Sequence, residues 1–158
     1  WETGTPDFQA ISGIEATVGY LGSMGTTHLR TDNYCRHSLE AAFEKITNWE
    51  NELSLYFLEE MAKIRDVKVY GITDPNQVNE RTPTFGITVA KADSYHIAKK
   101  LAERGIFAWG GHFYAPGVIE EYNLDHQGGL VRIGLLHYNT KDEIDKLVGA
   151  LHFIIQYL

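Results

Sequence analysis

Between Leu130 and Leu158 the hydrophobic period of the chain changes once, and that change limits the fold more than any other feature. "LVRIGLL", Leu130–Leu136, is a short apolar run of strand length. After "HYN", Thr140 and Glu143 form a capping box, and Ile144, Leu147, Val148, Leu151, Ile154, Ile155 and Leu158 then recur at helical spacing. A strand feeding directly into an amphipathic helix points to layered α/β architecture.

The same alternation runs upstream. "VKVYG" reads as a strand, "ITDPNQVNERTP" as a loop and "TFGITVA" as a second strand. Asp93 to Arg104 reads as a helix with Asp93 at the N-cap and Gly105 just past the C-terminus. "GIFAWGGHFY" is a third strand running into glycines, and "APGVIEEYNL" a turn with a short helix. The expected fold is therefore α/β, with about four strands in a mixed sheet and helices packed on it.

The N-terminal third is helical in pattern. Thr5 suits an N-cap and Pro6 the first helical position, and Phe8, Ile11, Ile14, Val18 and Leu21 form one stripe that Gly22 and Gly25 end. Ser23 to Arg36 is polar and irregular, which predicts a loop. A long helix follows over Leu39–Ile64, with Phe43, Ile46, Trp49, Leu53, Phe57, Met61 and Ile64 on one face.

Composition excludes several functions. The 158 residues carry a net charge of −7 without a basic run, which argues against a nucleic-acid partner. No apolar run is long enough for a membrane span or shaped like a signal peptide, so the expected location is cytoplasmic. One cysteine, Cys35, excludes an internal disulfide and a cysteine metal cluster. The histidines, His28, His37, His96, His112, His126, His137 and His152, show no metal-ligand spacing, and no metal is expected.

Arg132 stands out within the apolar strand. On an edge strand its stem would pack on the sheet and its head reach water. Flanked by Leu130, Val131, Ile133, Leu135 and Leu136, it reads instead as a buried arginine on a central strand, which requires an anion such as a carboxylate held bidentately. In "AWGGHFYAP" the glycine pair lets backbone approach a ligand, and Trp109, Phe113 and Tyr114 either line an apolar pocket or belong to the core.

"WETGTPDFQAISGIEATVGYLGSMG", "ERTPTFGITV", "LAERGIFAWGGHFYAP" and "LVRIGLLHYNTKDEIDKLVGAL" together resemble the C-terminal part of the class-V aminotransferase family, the cysteine desulfurases and their desulfurase-like relatives. These are pyridoxal-phosphate enzymes of fold type I. The resemblance implies that residues 1–22 are the C-terminal remnant of a large cofactor-binding domain. Residues 23–38 would then be a loop, and 39–158 a connecting helix plus the C-terminal small domain. It implies an amino-acid substrate, a homodimer, and a cofactor lysine upstream of Trp1; the family sets that lysine directly after a histidine, and no His-Lys dipeptide occurs here. The chain alone is accordingly expected to be inactive.

Residue by residue, the resemblance makes Arg132 the ligand of the substrate α-carboxylate. It places Gly4 and Thr5 at the cofactor phosphate of the partner subunit, a role compatible with capping. His112 and Phe113 would lie at the substrate. One desulfurase branch carries Gly-His-His-Cys-Ala-x-Pro here; Gly110, His112 and Pro116 keep their places, while Phe113 stands at the sulfur-accepting cysteine. Cys35, between residues that would lower its pKa, is the only other source of that thiol. C–S lysis, transamination and epimerisation are the competing chemistries. The alternative from another class is a stand-alone, non-catalytic α/β module that binds a small carboxylate or pairs with another subunit.

Overall fold

The computed structural model describes residues 4–26, 36–90 and 92–158. The chain divides into two compact units, Trp1–Trp49 and Glu50–Leu158.

In the first unit, helix α1 spans Phe8–Gly25 and helix α2 begins at Arg36, running to Ala62 in the second unit. Asp7, rather than Thr5, caps α1: its carboxylate accepts the Ala10 N–H at 3.0 Å. An ionised carboxylate completes the helix N-terminus better than a hydroxyl because it also meets the helix dipole, and Pro6 is thereby left outside the helix. The α1 stripe forms as expected, but Phe8, Ile11, Ile14 and Val18 are all exposed. What α1 buries is its C-terminal end. A Cβ on Gly25 would fall 1.7 Å from the Ser38 carbonyl oxygen, so only glycine permits this approach to α2, and Lys45 Nζ donates to the Met24 carbonyl at 2.9 Å. The predicted loop is shorter than expected, since Ser23–Gly25 are helical and α2 starts three residues before Leu39. Cys35 and His28 lie outside the described residues.

The second unit holds a four-stranded sheet of β1 (Val67–Tyr70), β2 (Thr84–Val89), β3 (Trp109–Gly111) and β4 (Leu130–Gly134), in the order β1-β2-β4-β3. All its pairings are antiparallel where a mixed sheet was expected. The chain crosses from β2 through α3 to β3 in the same direction, and β4 then returns between them antiparallel to both, an insertion that the alternation of elements does not encode. Register pairs Phe85 with Ile133 and Ile87 with Val131 on one face, and Gly86 and Trp109 with Arg132 on the other. The first face is the core, where Phe85, Ile87, Val89, Val131 and Ile133 are buried.

Three helices supply the rest of the core. The Phe57 ring of α2 stacks on Phe85 with centroids 4.0 Å apart, both fully buried, each contributing about 1.5–3 kcal/mol. Helix α3 (Ser94–Ala102) buries Ile97 and Leu101, and helix α5 (Lys141–Gln156) buries Ile144, Leu147, Leu151 and Ile154. Polar ties join α2 to α5: Lys141 Nζ donates to Glu52 at 2.6 Å, and the Tyr56 hydroxyl donates to Asp145 at 2.6 Å. That carboxylate pushes the Tyr56 phenol up to about 12. Asp93 caps α3 by accepting from Tyr95 and His96 N–H groups. At α5, the Glu143 carboxylate accepts from Thr140 N–H at 2.9 Å and from Asn139 Nδ2 at 3.1 Å. The third strand is shorter than expected at both ends: it begins only at Trp109, and after Gly111 the chain leaves the sheet as Phe113 and Tyr114 turn to positive φ. Between them and β4 lies only the short helix α4 (Pro116–Glu121) and a single 3₁₀ turn.

Two predictions follow from this packing. A Cβ at Gly110 would lie 2.6 Å from the Ser94 carbonyl oxygen and 2.8 Å from the Tyr95 nitrogen, both backbone, whereas one at Gly149 in α5 meets nothing within 4 Å. Urea unfolding should therefore show Gly110→Ala destabilised by about 1–3 kcal/mol and Gly149→Ala stabilised by about 0.5–1 kcal/mol. Donation from Asn139, then from Thr140, holds the Glu143 carboxyl below its ordinary range. A carboxyl depressed in the folded state stabilises above its unfolded pKa, and that contribution is lost as pH falls through the folded value. The stability gap between wild type and Glu143→Gln should be widest near neutral pH and close on acidification below the ordinary carboxylate range; a gap constant with pH would show that the charge does not matter.

Candidate functional site

The sheet face opposite the core carries the site. Along β4 the side chains alternate, so burying Val131 and Ile133 sends Arg132 to the open face. This corrects the expectation of a buried arginine. The strand is central, lying between β2 and β3, but Arg132 is exposed, because its apolar neighbours in sequence belong to the opposite face.

Arg132 and Gly134 lie on one side of a cleft of about 840 Å³. Trp109 of β3, directly across from Arg132, and Phe107 just before it form a second side; Tyr95 of α3 and the His112–Tyr114 turn complete the lining. The α3 N-terminus reaches this position because Gly110 lets it rest on β3 backbone, and the Ser94 hydroxyl ties it to the Gly128 carbonyl at 2.5 Å. Phe107, Trp109 and Tyr114 are 91%, 72% and 98% exposed, so the cleft is an aromatic surface open to a ligand.

The turn after β3 is strained. Phe113 and Tyr114 stand consecutively at φ of 52° and 59°, a region costly to residues with a Cβ. Two hydrogen bonds hold the turn: Ala115 N–H donates to the His112 carbonyl at 2.8 Å, and Tyr114 N–H donates to His112 Nδ1 at 3.2 Å. Because Nδ1 accepts, the neutral His112 ring carries its proton on Nε2. The turn brings the Phe113 ring to Arg132, whose Cζ lies 5.7 Å from the ring centroid, within cation–π range.

Among the described residues no carboxylate pairs with Arg132, and the cleft lining contains no Asp or Glu. Arg81 provides the contrast. Its guanidinium donates to the carbonyls of Ile72, Thr82 and Thr84 and lies over the Phe85 ring at 4.0 Å, and burial lowers its pKa. Arg81 is thus consumed by structure, while Arg132 presents an uncommitted cation to the cleft.

Of the residues singled out in the sequence, Arg132, His112, Phe113, Trp109 and Tyr114 come together here. Gly4 and Thr5 belong to the first unit, where both are exposed ahead of α1. Tyr138, Asn139 and Thr140 form the turn and cap of α5; Tyr138 and Asn139 also line a neighbouring cleft of about 1030 Å³, which shares Phe107, Ala108 and Gly134 with the first. Tyr95 and Phe107 are cleft residues that the sequence reading missed. Phe107 had a signal, since it alternates with Trp109 across Ala108, as expected for two side chains on one face of an extended segment. Among the described residues no group of three or more His, Cys, Asp or Glu could hold a metal ion, and no helix is long and apolar enough to cross a membrane.

Comparison with known proteins gives the chain a family. Residues 1–147 match the profile of the family described as aminotransferase class-V. The chain is 28% identical over 151 residues to a cysteine desulfurase of Salmonella typhimurium, covering 96% of this chain and 31% of that protein. The fold is similar to that of an apo cysteine desulfurase from Thermococcus onnurineus NA1, with a TM-score of 0.67 at 20% identity over 78% of this chain and 29% of the other. It is also similar to a cysteine desulfurase from Escherichia coli, with a TM-score of 0.60 at 21% identity over 77% of this chain and 30% of the other. The chain therefore spans about a third of the length of these relatives, and over that span it belongs to the aminotransferase class-V family.

Proposed function

We propose that this chain forms the carboxylate-binding part of a pyridoxal-phosphate-dependent, cysteine-desulfurase-like enzyme acting on an amino acid in the cytoplasm. The observation that carries the reading is the Arg132 guanidinium, a cation on a central strand, open to an aromatic cleft and without a carboxylate partner among the described residues. Its planar fork matches a carboxylate bidentately. Holding the α-carboxylate at two points fixes the direction of the bonds at the substrate Cα, so Arg132 contributes by orientation. Phe113 and Trp109 flank it with aromatic surface. His112, with its proton on Nε2, is placed at the substrate to hold or pass a proton at that atom.

The residues present fit the cofactor in two respects. The cleft offers aromatic walls without competing anions, and the Thr5 hydroxyl is left uncommitted because Asp7 takes over the cap of α1. Gly4 and Thr5 would hold the cofactor phosphate of a partner subunit through the Thr5 side chain and local backbone, which makes the enzyme a homodimer. When bound, pyridoxal phosphate supplies a ring that withdraws electrons from the substrate Cα. In this reading residues 1–22 belong to the cofactor-binding domain, 23–38 to a loop, and 39–158 to the connecting helix and small domain.

Two outcomes are expected. In the holoenzyme containing this segment, Arg132→Ala should weaken amino-acid binding by about 1.5–3 kcal/mol, the scale of hydrogen bonds to a charged group, while the absorbance of the bound cofactor persists. Unchanged amino-acid affinity would return Arg132 to a structural role. The chain alone, mixed with pyridoxal phosphate, should develop no stoichiometric long-wavelength absorbance, because its eight lysines are read as solvated surface groups; a band abolished by substituting one of them would place the cofactor lysine within this chain.

A further inference from the structure

We infer that the amino acid held at Arg132 carries an apolar, ring-sized side chain, and that the aromatic cleft selects it. This rests on the proposed carboxylate role of Arg132 and extends it to substrate class. The charge inventory of the cleft sets the first limit. Among the described residues Arg132 is its one Lys or Arg side chain, and none of them contributes an Asp or Glu to it. One carboxylate is therefore matched, a second would lack a fixed cation, and a side-chain ammonium would lack an anion.

The walls set the second limit. Tyr95, Phe107, Trp109, Phe113 and Tyr114 present aromatic surface around Arg132, with Phe107 and Tyr114 almost wholly exposed. Such surface is stabilised by covering it with apolar area, which a ring-bearing side chain does and a small polar one does not. The strained turn bears on the same point. Two consecutive left-handed residues keep the Phe113 ring 5.7 Å from the guanidinium, so the side chain next to the bound carboxylate meets a phenyl face.

The test is calorimetric titration of the holoenzyme containing this segment with four probes: 3-phenylpropanoate, propanoate, butanedioate and 2-phenylethanol. The expected result is 3-phenylpropanoate binding about tenfold or more tightly than each of the others, the effect of one buried ring or one matched charge. Arg132→Gln should reduce 3-phenylpropanoate to the level of 2-phenylethanol. Phe113→Ala and Trp109→Ala should erase the preference over propanoate while propanoate binding persists. Each altered residue is on the open sheet face or its turn, and circular dichroism melting confirms that the variants fold. If propanoate or butanedioate binds as well as 3-phenylpropanoate in an Arg132-dependent way, the aromatic preference is wrong and the carboxylate role stands. If 3-phenylpropanoate binds equally well to Arg132→Gln, or none of the probes saturates, the carboxylate role falls too and the inference with it.

Discussion

The alternation of β4 is the constraint on which the rest of the second unit depends. Val131 and Ile133 enter the core against Phe85 and Ile87, and geometry then obliges Arg132 to face the other way. The same hydrophobic burial that holds the sheet together therefore aims the guanidinium. A slip of one residue would place the charge among Phe57, Phe85 and Leu151, and the cost of an unpaired buried cation makes that register inaccessible. Site and core are opposite faces of one decision.

Glycine then determines how closely the remaining elements approach. At Gly110 the backbone of α3 rests directly on β3, and at Gly129 a Cβ would fall 2.3 Å from the Gly111 carbonyl oxygen. These contacts bring Tyr95, Trp109 and the following turn within reach of Arg132 without long side chains to bridge the distance. A rigid, short-range scaffold of this kind suits the orienting role proposed for Arg132.

Much of this was legible in the amino-acid sequence because it rests on local signals. The capping box at Thr140 and Glu143, the Asp93 cap and the short apolar runs of β2 and β4 each declare their element within a few residues. The family motifs around Arg132 and His112 single out residues that the cleft brings together. Other features depend on information that is not local. The face on which Arg132 lies depends on which neighbours β2 and β3 bury, and the antiparallel pairing depends on how the connections return. The cap of α1 was misassigned because Thr5 and Asp7 both suit that role, and the helix begins where the stronger acceptor stands. Tyr95 reaches the cleft only through the Gly110 contact, which no spacing along α3 reveals.

The left-handed pair Phe113 and Tyr114 sets thermostability against the recognition proposed for the cleft. Glycine at either position would relax the backbone, so selection for heat resistance alone would drift toward it. The reward would come with a blunted cleft, because the ring beside Arg132 would be deleted or its aim loosened. Engineering that hardens this protein should therefore work in the helices and leave the turn its tension.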